Sequence, residues 1–223
     1  MLKHRGNIIF DLDGTLIDSS DGVVAAVNYS LRMMNQPAQP PEIIKAFIGY
    51  PLSQMYTHFT DIPMEELYHH FQNKAKETIV ASTTVLPGVS EILRRLYDEG
   101  YHLAIASTKI RPHIEGIMEK FEWTSLFSAY AGGNEVSRVK PDPEIFRLTL
   151  QRLSATPGES IVLGDTINDI LAAKAVPITV VAVASPYGGK EKVQQAKPDY
   201  FIENISELPN LLTSTILMSG KEG

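Results

Sequence analysis

The sequence predicts an α/β protein: a Rossmann-like parallel sheet with an all-helical segment inserted after its first strand. Three observations predict it. "NIIF" (7–10) reads as a strand buried on both faces. No convincing strand follows between residues 19 and 84, where helical spacing dominates. From residue 86 onward strand and helix patterns alternate, which is the signature of a parallel sheet covered on both faces.

Taken in order, "DGVVAAVNYSLRMMN" puts Val23, Val27, Leu31 and Met34 on one helical stripe, with Ser19 or Ser20 as its cap. "QPAQPP" (36–41) breaks that helix. Short helical pieces are expected around 41–48 and 52–59. A longer helix over 63–80 carries Met64, Leu67, Phe71, Ala75 and Ile79 at helical spacing. Beyond "LPG" (86–88), Val89, Ile92, Leu93 and Leu96 make a helix that Gly100 ends. "HLAIAS" (102–107) is a strand. Helices at 112–121, 143–153 and 168–175 then alternate with strands near 128–131, 160–164 and 178–184. "DYFI" (199–202) and a helix over 206–216 close the pattern. The core is therefore expected from 1–17 and 86–223, with 18–85 as a helical cap hung on two linkers.

Composition narrows the function. The chain has 223 residues, enough for one large domain or a domain with a smaller insert. Its net charge of −6 advertises no nucleic-acid surface. With no cysteine, disulfides, thiolate metal sites and cysteine nucleophiles are excluded. No apolar run approaches the roughly 20 residues of a membrane span. The apolar part of "MLKHRGNIIFDLDG" is too short for a secretory signal, so a cytoplasmic protein, monomer or homodimer, is expected.

Ligands of such sheets bind at the carboxyl ends of the strands. The first strand ends in Asp11 and Asp13, the next core strand in Ser107, Thr108 and Lys109, and the strand at 160–164 in Asp165 and Asp169. Lys140 precedes a helix in "SRVKPDPEIF". Residues two apart in an extended segment point the same way, so Asp11 and Asp13 can share one site while Leu12 packs. Close carboxylates raise each other's pKa unless a cation neutralises them. Asp165 supplies a third oxygen, and an oxygen-only site with open positions suits Mg²⁺. Asp169, four residues on, can reach back to orient the metal's water shell. Lys140 offers a point charge to a phosphoryl oxygen, Ser107 a hydroxyl, and Gly14 a close backbone approach to an oxyanion. The nucleophile is then a carboxylate: Asp11 attacks to form an aspartyl-phosphate, while Asp13 protonates the leaving oxygen and later deprotonates water.

"DLDGTL", a Ser/Thr closing a second strand, "KPDPEIF" and "GDTINDILAA", in that order, resemble the four motifs of the haloacid dehalogenase (HAD) superfamily. "LPGVSEIL" resembles its return to the core after a helical cap. The resemblance implies the same roles: Asp11 nucleophile, Asp13 acid/base, Ser107 and Lys140 phosphate holders. It also implies that Mg²⁺ is bound by Asp11, Asp165 and the backbone carbonyl of Asp13, rather than by Asp13's side chain as spacing suggests. Asp13 and the 165/169 pair argue against the metal-free dehalogenases. "DSSDGVVAAV" lacks the histidine of phosphoglucomutase-like members, and "FIGYPLSQMY" lacks the cap lysine of phosphonate-cleaving ones. The sequence is most similar to the phosphoglycolate phosphatase group. "STK" stands for that group's "TNK", and Val176-Pro177 for its usual Ala-Gly, a change expected to affect packing only.

The cap tip, Gly49 to Ser53, is expected to face the leaving group, with Gly49, Tyr50 and Thr108 touching substrate. From 18 to 84 there are seven acids (Asp18, Asp21, Glu42, Asp61, Glu65, Glu66, Glu77) against four bases (Arg32, Lys45, Lys74, Lys76), which favours a small phosphorylated metabolite with one phosphate. Lys109 and Arg111 read as solvent or helix-end charges, His69-His70 as one wet helix face, and His58 and His113 have no evident partner. The rival activities are a pyrophosphatase or sugar-phosphate mutase of the same superfamily, and a phospho-accepting domain without turnover.

Overall fold

The computed structural model describes residues 5–187 and 189–219, with side chains through residue 214. Six parallel strands form one sheet in the order β5-β4-β1-β6-β7-β8: β1 (Asn7–Phe10), β4 (His102–Ser107), β5 (Phe127–Gly132), β6 (Ser160–Gly164), β7 (Thr179–Val183) and β8 (Tyr200–Ile202). β1 lies between β4 and β6, with Phe10 opposite Ile105 on one side and Leu163 on the other. The chain leaves β1 and builds outward in both directions, so the crevice at its carboxyl end is the topological switch point.

Side chains alternate across this sheet with period two. Ile8, Phe10, Leu103, Ile105 and Leu163 face one buried cluster, together with α5 (Val89–Asp98), α6 (Arg111–Lys120) and α10 (Leu208–Ser219). Ile9, Ala104, Ala106 and Val162 face the other, together with α7 (Glu144–Leu153), α8 (Ile167–Lys174) and α9 (Lys190–Gln195). Alanines at 104, 106, 129 and 131 bring this second helical layer close to the sheet. Val176 is buried within that layer, as expected of a packing position.

Between β1 and α5 lie β2 (Ile17–Asp18), α1 (Ser20–Met33), α2 (Pro41–Lys45), α3 (Leu52–Phe59), α4 (Met64–Ser82) and β3 (Thr84–Val85). The four helices bury their own cluster, built on Val23, Val27, Leu31, Leu67, Ala75 and Ile79 as the two stripes anticipate. α1 and α4 cross closely at Gly22, where an added Cβ would lie 2.7 Å from the Ile79 Cα, and Thr78 Oγ1 donates to the Gly22 carbonyl at 3.1 Å. The expected helix over 41–48 stops at Lys45 and gives way to turns through Tyr50. Ser19 stands at the N-cap position of α1, but its hydroxyl makes no cap bond, being taken by Asp13.

Residues 17–18 and 84–85 pair as a two-stranded antiparallel ribbon that the sequence pattern does not show. Lys120 of α6 donates to the carbonyls of Val80, Ala81 and Thr83 at 2.9, 2.7 and 2.8 Å, so a core lysine caps the end of α4. α9 was likewise not expected. Among its residues only Val193 is buried, leaving little apolar period to read. No helix of the described residues is long and apolar enough to cross a membrane.

Candidate active site

The carboxyl ends of β1, β4 and β6 and the loop before α7 bring Asp11, Asp13, Ser107, Lys140, Asp165 and Asp169 together, all buried. Asp11, Asp165 and Asp169 each present an oxygen within 4.8 Å of the others. Lys140 Nζ donates to Asp11 Oδ1 at 2.5 Å, to Asp169 Oδ1 at 2.6 Å and to the Ala106 carbonyl at 3.0 Å. An ammonium has three donors, and all three are engaged. Lys140 therefore orients Asp11 and supplies charge. Contact with a phosphoryl oxygen, as expected from sequence, requires exchanging one of these partners.

Asp169 divides its carboxylate. One oxygen accepts from Lys140. The other accepts from Thr166 N at 3.0 Å and Thr166 Oγ1 at 2.6 Å, closing the capping box that starts α8. Asp165 accepts from Thr15 Oγ1 at 3.1 Å and also bonds Ser185. Gly14 makes that approach possible. Its φ is +79°, and a Cβ there would stand 2.1 Å from Asp165 Oδ2.

Burial pushes the Asp11 carboxyl up to about 7 from its ordinary 3.8, against the pull of Lys140 and with the Asp169 charge adding to the rise. Asp165 is raised well above its ordinary value by burial and then by Asp11 and Asp169. Burial opposes the charge on Lys140, but the Asp11 and Asp169 carboxylates outweigh it and raise its pKa. Ionised, this cluster sets three carboxylates against one ammonium, a deficit of two positive charges. A divalent cation held by oxygen ligands fits that balance and the donor set. Asp11, Asp165 and Asp169 are the side chains that can hold it.

Asp13 corrects the expectation drawn from spacing. It lies outside the three-acid cluster. Its two oxygens accept from Lys109 Nζ at 3.0 and 2.8 Å, and Ser19 hydroxyl also donates to it. Lys109 further donates to Ser19 Oγ at 2.8 Å. The reading of Lys109 as a solvent charge is thus overturned: it sits at the end of β4, beside β1, and its side chain is 8% exposed. Arg111 does behave as a helix-end charge, bonding Glu115 at 2.9 Å and Glu135 at 3.0 Å.

Ser107 ends β4, with Lys109 N donating to its Oγ at 3.2 Å. Thr108, Gly49 and Tyr50 line a cavity of about 230 Å³ that also reaches Asp13 and Lys109, and its other wall is α3 and α4. Gly49 (φ +87°) lies so near Thr166 that a Cβ would meet its Cγ2 at 2.7 Å, which brings the 46–50 turn against the start of α8. Ser53, by contrast, is exposed and does not line the cavity. His58 packs on Phe47 and Phe59, with ring centroids 5.1 and 5.8 Å away. His69 is exposed, beside Asn73, as a wet helix face requires. Thr15, Ser19, Lys109 and Ser185 were missed as site residues. Ser185 follows the end of β7, and asking what lies at that strand end, as for the others, would have found it.

A parallel sheet that gathers four acids and two lysines at its switch point defines the class, an α/β protein with an acid-rich candidate active site at the carboxyl ends of its strands. Comparison with known proteins places it further. Residues 8–183 match the model of the haloacid dehalogenase-like hydrolases. The chain is 31% identical to the probable phosphatase IndB of Dickeya dadantii over 208 residues, 90% of each. It is 31% identical to pyrophosphatase PpaX of Bacillus velezensis, covering 92% of this chain and 95% of that one. It is 26% identical to a phosphoglycolate phosphatase of Haemophilus influenzae, over 91% of this chain and 96% of that one. A crystal structure from Bacteroides fragilis, of a haloacid dehalogenase-like hydrolase, superposes with a TM-score of 0.86 at 28% identity, over 92% of this chain and all of that one. The chain belongs to the haloacid dehalogenase-like hydrolase family. Within it, the chain is a phosphatase-type hydrolase.

Proposed function

We propose that the protein is a Mg²⁺-dependent phosphomonoesterase that turns over a small phosphorylated metabolite through a phospho-aspartate on Asp11, with residues 18–85 as its cap. The observation that carries this reading is the shared placement of Asp11, Lys140, Asp165 and Asp169 around one point, two positive charges short. Mg²⁺ would be held by Asp11, Asp165 and Asp169, with the Asp13 carbonyl as the family resemblance implies, and would supply charge neutralisation of the phosphoryl oxygens.

The chain's own residues do the rest. Lys140 holds Asp11 with one oxygen free to attack phosphorus. The new bond joins an Asp11 oxygen to phosphorus, and the bond from phosphorus to the alcohol oxygen breaks. Asp13 gives its proton to that oxygen. Water then attacks phosphorus, its proton passes to Asp13, and the bond to Asp11 breaks, which restores both carboxyls. Ser107 and the backbone amides after it hold the phosphoryl oxygens. In the present arrangement Lys109 occupies both Asp13 oxygens. A phosphate arriving beside Lys109 competes for that ammonium and frees Asp13 to carry a proton. The helices between the β2 and β3 ribbon close over the cavity and exclude water.

Phosphate release from p-nitrophenyl phosphate with and without Mg²⁺ tests the reading. Because p-nitrophenolate leaves without needing a proton, Asp13→Asn is expected to retain phosphorylation at Asp11 from this substrate while losing turnover. A wild-type protein that becomes phosphorylated but never turns over would instead be a phospho-accepting domain.

A further inference from the structure

The cavity beside Asp13 carries a chemical preference that the phosphate chemistry does not use. Phe47, Leu52, Met55, Phe71 and Ile79 supply its outer wall and Ile110 part of its floor. Of the charged groups that line it, Asp13 and Lys109 neutralise each other, and Lys76 stands on an exposed stretch of α4 at the margin. A carboxylate or second phosphate moved in among these apolar side chains would lose its water, and the buried ammonium that lines the cavity, Lys109, is already shared between Asp13 and the substrate's own phosphate.

One further polar group faces this region. His113 lines the cavity, is 8% exposed, and its Nε2 is buried without a hydrogen-bond partner among the described residues. Burial, with Lys109 nearby, lowers its pKa to about 4, so the imidazole is neutral at physiological pH. A buried imidazole nitrogen without a partner costs stability that a ligand group can return.

We propose that the leaving group seated in this cavity is a neutral, largely apolar alcohol carrying one hydroxyl or carbonyl that bonds His113, rather than an anionic moiety such as a carboxylate or a second phosphate. The proposal rests on the phosphomonoesterase reading of the adjoining site. The cavity's volume of about 230 Å³ admits an alcohol well beyond two carbons.

The test is phosphate release with Mg²⁺ from benzyl phosphate and 3-methylbutyl phosphate against 2-phosphoglycolate and inorganic pyrophosphate. kcat/KM is expected to be about tenfold or more higher for the two apolar esters, the scale on which apolar pockets discriminate. Equal or faster turnover of phosphoglycolate or pyrophosphate overturns the proposal and leaves the phosphatase standing. Turnover of none of the four, nor of p-nitrophenyl phosphate, overturns the phosphatase reading itself. Leu52→Lys, at a half-buried position on the wall, is expected to shrink the preference by favouring the anionic substrates.

The role of His113 is read with monophosphates of terminal diols, three to six carbons long, against alkyl phosphates of equal heavy-atom count. The wild-type protein is expected to favour the hydroxylated member of at least one pair, and His113→Leu to remove that preference through KM. A wild-type protein indifferent to the hydroxyl at every length overturns the assignment of His113, whether or not the variant folds.

Discussion

Replacing Gly14 by alanine tests how tightly the site is built. Gly14 holds φ at +79°, a conformation that costs an alanine about 1–2 kcal/mol. The added Cβ would stand 2.1 Å from Asp165 Oδ2, 2.8 Å from Asp165 Cγ and 2.8 Å from Ser185 Oγ. Contacts that short force the buried carboxylate to turn. It then loses the 3.1 Å bond from Thr15 and the bond with Ser185. A buried acceptor left short of partners costs about 1–3 kcal/mol. The sum is about 3 kcal/mol, or a fall in Tm of roughly 6–12 °C for a chain of this size. The displaced group is also a candidate cation ligand, so the Mg²⁺ concentration for half-maximal activity should rise more than tenfold, on the order of the loss seen when groups supporting a metal site are removed. Thermal unfolding by circular dichroism reads the first effect, and a Mg²⁺ titration of p-nitrophenyl phosphate hydrolysis reads the second. A variant with wild-type melting and wild-type Mg²⁺ dependence would refute the reasoning, because the close approach of Gly14 to Asp165 would then do nothing.

Asp11→Asn isolates one titration. Asp11 is raised from 3.8 to about 7 in the folded chain, so between those values the folded state holds a proton the unfolded state has released, and stability falls as pH rises, by about 1.4 kcal/mol per unit. In chelator, Asp11→Asn should therefore gain on the wild type from pH 4.5 to 7.0 in guanidinium melts, a parallel pair of curves being the contrary result. His113, lowered to about 4, acts in the opposite sense, and comparing the two proteins cancels it. Lys109→Met leaves Asp13 buried with, among the described residues, Ser19 as its hydrogen-bond partner and should cost about 3 kcal/mol in urea unfolding, along with most of kcat. A stability within error of wild type would show that Asp13 does not need Lys109. Lys120→Met removes three donors from the end of α4 and should destabilise by about 1 kcal/mol. Hydrogen exchange should accelerate at residues 80–83, where α4 ends, before the rest of that helix, and uniform protection there would count against the clamp.

Much of the fold can be read along the chain because its elements announce themselves locally. The apolar run in "HLAIAS" and the stripe Val89, Ile92, Leu93, Leu96 need no knowledge of distant residues, and both segments form the elements they predict. Once parallel strands are assigned, the rule that ligands gather at their carboxyl ends points to Asp11, Ser107 and Asp165 together. The two-residue strands at 17–18 and 84–85 show the limit. Neither carries a period, and each is a strand only because the other lies beside it.

The sequence by itself determined the α/β alternation, the helical segment set within it, and which acidic and basic residues stand at strand ends. These follow from periods of two and 3.6 residues and from a single rule of topology. Only the tertiary structure decided which charge meets which. Asp13 and Lys109 are 96 residues apart in sequence, and Lys140 is 129 from Asp11. Spacing put Asp13 with Asp11, whereas the packing of β4 against β1 gave its carboxylate to Lys109 and left Lys140 to Asp11 and Asp169. Ion pairing falls with distance in space and with burial, and neither quantity is written in the order of residues along a chain.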